Sequence, residues 1–386
     1  MSLGDLRQRH SSKWRRYPAD VLPLHVAEMD FDVAEPIQRL LVDFARRSDL
    51  GYLGPLPELE EAFGKFTAKR WNWQPKPRAL KLATDVGVAA VELLRVLCRP
   101  GDRVLISTPV YSSFMKWIDE VGLVAQDAPL VERDGEWRLD LDAIEAAFQS
   151  GTRVYLLCNP QNPVGRVHGR DELAHLAELA ATHGAVVITD EIHAPLTFES
   201  AEFTPYICIS DAARETGILI TSNSKSWNTA GLKAAFLLTE SARLAEQLTS
   251  LLPEAMHWRA SLLGGFAMVA SYEQCEPWLD ATVATIESNF ALLQQLVSES
   301  LPNAKIWQQH ATYLAWLDLA DYALDDPAEH LLRKARVAVV PGKDHAPKSI
   351  TSRYQQHIRL NFGTSDEILR LGIGQIAASL GDLPQN

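Results

Sequence analysis

With 386 residues, the chain is longer than one ordinary hydrophobic core requires, and two domains are expected. Hydrophobic residues make up 47% and charged residues 22%, a composition that is typical of globular proteins and excludes a disordered or fibrous chain. The 37 basic and 49 acidic side chains give a formal charge of −12, which disfavours nucleic acid and anionic membranes as partners.

Short apolar segments alternate with helical segments in the middle of the chain. Six segments are predicted to be strands: Ala79–Ala83, Arg103–Ser107, Arg153–Cys158, Ala185–Thr189, Gly217–Thr221 and Ala234–Leu238. They are apolar on both faces, as expected of strands buried between two layers of helices. Residues Asp171–His183 carry leucine and alanine at helical spacing and are predicted to form a helix. This alternation predicts an α/β fold with a mostly parallel sheet flanked by helices.

The C-terminal part of the chain shows a different pattern. A long amphipathic helix is predicted first, and short strands and a closing helix follow it: Ala281–Leu301, then Thr312–Leu319, Val337–Val340, Gln356–Phe362 and Ser365–Ser379. This mixture predicts a smaller α+β domain. Roughly the first forty residues are punctuated by proline, and we expect them to be irregular and to pack against it. We therefore divide the chain into an N-terminal segment (1–45), a large domain (46–280) and a C-terminal small domain (281–386).

The N-terminus and the cysteines indicate a cellular location. No apolar stretch follows the basic residues at the N-terminus, so no secretory signal is predicted, and no run of about 18 apolar residues could span a membrane. The four cysteines are far apart and form no C-x-x-C pair, which favours neither disulfides nor a zinc site. We expect a cytoplasmic protein that binds no metal.

Polar residues follow four of the predicted strands directly. These segments are Thr108–Tyr111, Asn159–Gly165, Asp190–His193 and Ser222–Asn228. In open α/β sheets, ligands bind where the strands end at their carboxyl edge. The sequence therefore predicts one pocket that collects an amide, two carboxylates, a histidine, an amine, hydroxyls and an aromatic ring.

This set of segments resembles the fold-type I pyridoxal-phosphate (PLP) enzymes, the aspartate-aminotransferase superfamily. Within that superfamily it is similar to the MalY/PatB branch of cystathionine β-lyases, also called C–S lyases. The resemblance covers almost the whole chain, and its motifs follow in family order: Arg9–Tyr17, Val26–Phe31, Cys158–Gly165, Asp190–Ala194, Ser224–Gly231 and Arg359–Phe362. It implies a seven-stranded sheet in the large domain, PLP as the cofactor, a small amino acid as the substrate, and a homodimer with shared active sites.

The resemblance assigns the two central catalytic roles to Lys225 and Asp190. Lys225 would hold PLP as a Schiff base, for which its amine must be neutral. Asp190 would pair with the pyridine nitrogen and keep it protonated, so that the ring accepts electrons. Taken alone, Lys225 could equally be a surface lysine in a salt bridge, and Asp190 could be a helix N-cap.

Three further residues would surround the cofactor ring. By resemblance, Asn162 would bind the phenolic oxygen and contribute to the substrate site, and Tyr111 would stack on the ring and assist catalysis. His193 stands where aminotransferases usually carry a tyrosine near the ring oxygen. Without the motifs, the simpler interpretations are a turn asparagine, a packing tyrosine and a core histidine.

The phosphate group requires amides and a cation. Val86, Gly87 and Val88 follow a strand and open a helix, so their N–H groups are candidates for binding an anion. The family also places a hydroxyl at Ser222 and a cation at Lys233. Tyr52 resembles the tyrosine that reaches the phosphate of the partner subunit.

The substrate site would be built around Arg359. The Arg-x-Asn-Phe segment resembles the one whose arginine binds the substrate α-carboxylate, and Ala27 would lie beside the substrate. An exposed arginine on an edge strand is the alternative. The chain departs from the family at four places. Gln161 stands where the family usually has a histidine, and His168 stands where it has an aromatic residue. Asp85–Gly87 replaces a Pro-Gly pair, and Gly342–Pro347 replaces a glycine-rich stretch.

These residues together predict a PLP-dependent carbon–sulfur β-lyase. It would eliminate a thiol from cystathionine or a cysteine S-conjugate and release pyruvate and ammonia. Two alternatives stay open: an aminotransferase of class I or II on the same scaffold, and a regulatory binding protein that retains the fold.

Overall fold

The computed structural model describes residues 2–381, which form fifteen α-helices and fifteen β-strands. Helices α1 to α15 are Leu3–Leu6, Ser12–Arg15, Glu35–Arg47, Pro57–Trp71, Val86–Leu97, Ser113–Glu120, Leu141–Gln149, Arg170–Thr182, Asp211–Thr216, Ala242–Leu251, Ala255–Trp258, Leu262–Gln274, Glu276–Ser300, Pro327–His330 and Asp366–Gly381. Strands β1 to β15 are Leu22–Pro23, Ala79–Ala83, Arg103–Ile106, Val124–Asp127, Val131–Arg133, Glu136–Arg138, Val154–Cys158, Val186–Asp190, Gly217–Thr221, Ala235–Thr239, Lys305–Ile306, Leu314–Asp318, Val337–Ala338, Val340–Pro341 and His357–Asn361.

The central sheet has seven strands in the order β2-β10-β9-β8-β7-β3-β4. Strands β9, β8, β7, β3 and β4 are parallel, whereas β10 is antiparallel to β9 and β2. Successive residues of β7 pack into two different hydrophobic cores. Val154 and Leu156 belong to one core, and Tyr155 and Leu157 belong to the other. The sheet is therefore buried on both faces, which confirms the predicted α/β fold.

All six predicted strands of this sheet are present, with bounds that differ by one residue or less. The predicted helix at Asp171–His183 is α8, which begins at Arg170. The resemblance implied a seventh strand without giving its position. It is β4, which the apolar pattern missed because it lies at the edge of the sheet and lacks a continuous apolar run. Its first residue, Val124, is 51% exposed.

The C-terminal part forms a four-stranded antiparallel sheet in the order β11-β12-β15-β14. The long helix α13 begins at Glu276, with Pro277 in its first turn, so a boundary at residue 280 would fall inside this helix. The prediction of one continuous strand over Val337–Val340 was wrong. The segment splits into β13, which pairs with β1, and β14, which pairs with β15.

The N-terminal segment is more regular than predicted. Helix α3 occupies Glu35–Arg47, again with proline in its first turn, and the expectation of irregular structure was wrong there. Upstream of it, β1 pairs in parallel with β13, and the Leu24 carbonyl accepts a hydrogen bond from the Asn361 N–H at 2.8 Å. These contacts connect the two ends of the chain. The division at residues 45 and 280 stays a prediction.

Three features bear on location and metal binding. Across residues 2–381, none of the helices is both long and apolar enough to cross a membrane. In the same range, no three or more His, Cys, Asp or Glu side chains cluster as metal ligands do. The four cysteines are all unpaired.

Candidate active site

A cavity of about 250 Å³ opens where the parallel strands β7, β8 and β9 end. Each of these strands continues into a polar turn, and their common direction brings the turns to the same edge of the sheet. Nine of the thirteen predicted site residues line the cavity: Ala27, Val86, Gly87, Tyr111, Asn162, Asp190, His193, Lys225 and Lys233.

The side chain of Lys225 is partly buried in the turn that follows β9. Its Nζ donates a hydrogen bond to the Ala27 carbonyl at 2.9 Å, and the Tyr313 hydroxyl donates to the same oxygen at 3.0 Å. Burial, and then the charge of Arg359, lower the pKa of Lys225 from 10.5 to about 8. A substantial fraction of this amine is therefore neutral near physiological pH, as an amine that attacks a carbonyl must be.

Asp190 is the last residue of β8 and is buried between β7 and β9. It pairs with Cys158 on one side and with Ile220 on the other. Its Oδ1 accepts a hydrogen bond from the Ile192 N–H at 3.1 Å. Burial raises its pKa to about 7, against the opposing effects of that hydrogen bond and of the Lys225 charge. Such a carboxylate is stabilised by any cation that the cavity receives, including a protonated ring nitrogen.

Arg359 lies in β15, in the C-terminal sheet, and is buried next to the cavity without lining it. Its Nη1 donates to Asn162 Oδ1 at 3.2 Å and its Nη2 to the His25 carbonyl at 3.0 Å, while its Nε is buried without a partner. Burial lowers the pKa of the guanidinium to about 10, so it stays charged at neutral pH. Arg359 is therefore not an exposed arginine on an edge strand, and its binding of a substrate carboxylate stays a prediction.

His193 and Tyr111 are the two predicted rings at the cavity. His193 is buried, its Nδ1 has no partner, and it packs edge-on against Tyr313 at 6.0 Å between ring centroids. Burial and the charges of Lys225 and Arg359 lower the pKa of His193 to about 3, so the ring is neutral. Tyr111 packs edge-on against Trp117 at 5.8 Å.

The proposed phosphate site lies at the start of helix α5. Val86 and Gly87 line the cavity, but the Val88 N–H donates to the carboxylate of Asp85 at 2.9 Å. A Cβ atom at Gly87 would lie 2.9 Å from Nε1 of Trp117, so the first turn leaves no room for a larger residue there. Lys233 reaches this end of the cavity, where it forms an ion pair with Asp85 at 2.9 Å.

Two other predicted phosphate residues lie apart from the cavity in this chain. The Ser222 hydroxyl donates to the Ala234 carbonyl at 2.7 Å and accepts from the Ser224 N–H at 3.0 Å, so it supports the turn that carries Lys225. Tyr52 is 90% exposed, as a side chain that contacts another subunit would be in a single chain. Their contacts with phosphate stay predictions.

Two of the departures from the family fill structural roles beside the site. Gln161 is buried, and its Nε2 donates to the carbonyls of Ser107 and Pro109 at 2.9 and 2.8 Å, which fixes the loop that carries Tyr111. His168 is also buried, and its Nδ1 lies 3.3 Å from Glu172 Oε2. Neither change removes a group that lines the cavity.

The sequence reasoning missed several residues that shape the site. Trp117 and Ser113 line the cavity from α6, and Tyr313 holds the Ala27 carbonyl. Asn228 binds both the N–H and the carbonyl of Met29, at 2.9 and 2.8 Å, which ties the N-terminal segment to the Lys225 turn. Only Asn228 stood inside a quoted motif. The others depend on contacts between distant parts of the chain, for which the sequence carried no signal.

The residues of the cavity fit PLP. An amine with a lowered pKa can bond the aldehyde, and a buried carboxylate can face the ring nitrogen. His193 is buried and its Nδ1 has no hydrogen-bond partner, while Asn162 uses its Oδ1 to accept from Arg359. Both side chains line the same cavity and offer polar atoms to a ligand. Val86 and Gly87, at the start of α5, line the cavity, and a helix start of this kind suits a phosphate.

Comparison with known proteins points the same way. The sequence profile of the aminotransferase class I and II family matches residues 19–376. The cystathionine β-lyase PatB of Bacillus subtilis is 31% identical over 94% of this chain and 93% of its own length, and a cystathionine β-lyase of Corynebacterium glutamicum is 31% identical over 98% and 99%. The structure of a PLP-bound C–S lyase from Staphylococcus hominis has a TM-score of 0.89 at 26% identity and covers 97% of each chain.

Proposed function

The chain belongs to the aminotransferase class I and II family, and we propose that within this family it is a PLP-dependent carbon–sulfur β-lyase. Its substrates would be cystathionine or cysteine S-conjugates, and its products a thiol, pyruvate and ammonia. The observation that carries this proposal is the meeting of Lys225, Asp190 and Asn162 in one cavity, with the buried cation of Arg359 bonded to Asn162. The β-lyase names of its relatives favour elimination over other PLP chemistry.

Each residue has a role that follows from its surroundings. When bound, PLP supplies an aldehyde and an electron-accepting ring. Lys225, neutral in part at physiological pH, would hold the cofactor through its aldehyde and, when freed by the substrate amine, would remove the proton from the substrate Cα, a general-base role worth about 10²–10⁴-fold in rate. Asp190 would hold a proton at the ring nitrogen. Asn162 would bind the phenolic oxygen, and Tyr111 would pack on the ring face.

Arg359 would bind the substrate carboxylate. Its Nε is unpartnered, and its Nη1 and Nη2 bond only to neutral oxygens, so a carboxylate can replace weaker contacts with a charge-assisted pair. Ala27 lines the cavity, and its carbonyl holds the Lys225 amine; it would contact the substrate when that amine moves.

We propose a homodimer in which Tyr52 of each subunit completes the site of the other. Tyr52, Leu50 and Trp258 are 90%, 62% and 48% exposed, and large apolar side chains of this kind are commonly covered in an assembly. Trp258 precedes Arg259, whose carbonyl accepts a hydrogen bond from the Thr84 hydroxyl at the cavity. The unpaired cysteines agree with a cytoplasmic location.

An aminotransferase is the second candidate, because the matching family is named for that activity. Incubation of the purified protein with cystathionine and PLP separates the two. A β-lyase releases thiol and pyruvate in equal amounts with no added acceptor. Turnover that requires an added 2-oxo acid, and converts it into an amino acid, would overturn the lyase proposal in favour of the aminotransferase.

A further inference from the structure

A carboxylate stands at the end of the cavity where the cofactor phosphate is expected. Asp85 precedes helix α5 and lines the cavity together with Lys225 and Asp190. Its Oδ1 accepts the Val88 N–H at 2.9 Å, and its Oδ2 accepts from Lys233 Nζ at 2.9 Å. The Asp85 carboxylate therefore accepts hydrogen bonds both from an N–H group of the helix start and from the Lys233 ammonium at the cavity.

Asp85 and a phosphate would compete for the same donors. The N-terminus of a helix attracts anions through its free N–H groups and the helix dipole, and a lysine binds phosphate as a point charge. A phosphate monoester carries a charge of about −1.5 to −2 at neutral pH, so it also meets direct repulsion from an ionised Asp85. Both partners of the ion pair are well exposed, 56% for Lys233 and 42% for Asp85, so water weakens this repulsion without removing it.

The carboxylate of Asp85 lies close to the first turn of α5. A Cβ atom built on Gly87 would lie 2.9 Å from the Trp117 indole nitrogen and 3.2 Å from Asp85 Oδ1. The indole of Trp117 and the carboxylate of Asp85 therefore both lie close to Gly87, one of the two residues of the helix start that line the cavity.

We propose that Asp85 determines how tightly this chain holds its cofactor. Its carboxylate competes with the cofactor phosphate for the Val88 N–H and for Lys233, so the phosphate contributes less to binding than the cavity would otherwise allow. The proposal rests on the proposed function, because it takes PLP as the ligand. It has an unusual consequence: removal of a polar side chain from the site strengthens cofactor binding.

The test is a binding titration of the apoprotein with PLP and, separately, with pyridoxal, which lacks the phosphate. Trp117 is one of ten tryptophans and lines the cavity, so quenching of the protein's tryptophan fluorescence reports binding without any measurement of activity. The Asp85→Ser variant keeps a side-chain oxygen that can cap Val88 and loses the charge. We expect it to lower the Kd for PLP about tenfold, the effect of one charge-assisted hydrogen bond, and to change the Kd for pyridoxal by less than about twofold.

Lys233 supplies a second, independent measurement. In the wild-type background Lys233 is already paired with Asp85, so Lys233→Met should weaken PLP binding by no more than about threefold, through the uncompensated charge of Asp85. In the Asp85→Ser background the freed lysine binds phosphate, and the same substitution should weaken PLP binding about tenfold. Equal effects of Lys233→Met in both backgrounds would overturn the competition.

Asp140→Ser is the matched control. Asp140 is also an N-cap, its Oδ1 accepts the Ala143 N–H at 3.1 Å, and it does not line the cavity. It changes the net charge equally and should leave both Kd values unchanged. If Asp85→Ser does not fold, Asp85→Asn keeps the cap without the charge and should tighten PLP binding in the same direction.

The outcomes separate this inference from the proposed function. If wild-type apoprotein binds PLP and Asp85→Ser binds it equally or more weakly, the inference is overturned and the proposed function stands. Wild-type protein that takes up no PLP overturns the proposed function and the inference with it.

Discussion

Replacing Lys225 by methionine should stabilise the apoprotein. The proposed chemistry requires an amine at this position, and burial of that amine in its charged form destabilises the folded state. Burial lowers the pKa of Lys225 from 10.5 to about 8, and this difference corresponds to about 3 kcal/mol of unfavourable free energy for the charged amine. The side chain is only partly buried, so water in the cavity reduces that figure, and we expect a gain of about 1–2 kcal/mol at pH 7.

The contacts of Lys225 support this estimate. The lost hydrogen bond to the Ala27 carbonyl costs little, because the Tyr313 hydroxyl still donates to that oxygen at 3.0 Å. Asp190 loses a nearby positive charge, which raises the pKa of its carboxyl further. It can then take up a proton at neutral pH and avoid an unpaired buried charge.

The pH dependence gives a sharper test than the size of the effect. The folded protein releases the Lys225 proton near pH 8, whereas the unfolded chain keeps it to about 10.5. The cost of the buried charge is therefore fully present below pH 8 and disappears as the pH rises from 8 toward 10.5. The advantage of Lys225→Met should be largest near pH 6.5 and should shrink as the pH rises. Above pH 7 it shrinks because Asp190, whose pKa is higher in the variant, loses its proton only against the cost of burial, and above pH 8 because the wild-type amine loses its charge.

The assay is urea unfolding of the apoproteins, followed by far-UV circular dichroism at several pH values from about 6.5 to 9.5. Lys233→Met is the control, because it removes an amine from an exposed ion pair and should change the free energy of unfolding by no more than about 1 kcal/mol. A Lys225→Met variant less stable than the wild type at pH 7, or an advantage of equal size at pH 6.5 and 9.5, would refute the reasoning.

Three further predictions concern the loaded enzyme. Asp190→Asn should still bind PLP but should lower kcat about 100-fold or more, because the amide cannot keep the ring nitrogen protonated. Cofactor absorbance measures the binding and steady-state kinetics measure kcat. An unchanged kcat would remove Asp190 from this role. Arg359→Lys should raise KM at least about tenfold while cofactor absorbance is retained, since an ammonium cannot form the bidentate pair; a loss confined to cofactor binding would contradict the assignment. Subunits with Lys225→Ala and subunits with Tyr52→Ala, each impaired alone, should recover activity when mixed into one dimer, because one of the two sites then has both residues intact; a mixture no more active than its components would contradict the shared site.

Much of the site could be predicted because the relevant residues follow buried strands. Asp190 and Lys225 come at or just after the ends of β8 and β9, and parallel strands carry whatever follows them to the same edge. Asn162 follows β7 in the same way. The strand ends predicted that these polar turns meet at one cavity, and the family resemblance supplied others of the nine residues, such as Ala27 and Lys233.

The prediction was weaker where pairing joins distant segments. The run over Val337–Val340 has the composition of one strand. In the structure its first part pairs with β1 and its last residue pairs with β15. The edge strand β4 was missed because exposure on one side removes the apolar pattern on which the prediction depends. In both places the structure depends on the neighbouring strand, and the local sequence does not indicate which strand that is.

The sequence by itself determined the α/β order of the chain, the family, and the amine, carboxylate and arginine of the site, because these depend on periodicity and on motifs of adjacent residues. Only the tertiary structure decided the chemical state of those groups. The lowered pKa of Lys225 and the raised pKa of Asp190 come from burial by segments far away in sequence. The pairing of Asp85 with Lys233, 148 positions apart, likewise appears only when the chain is folded, because charge and solvation depend on neighbours in space.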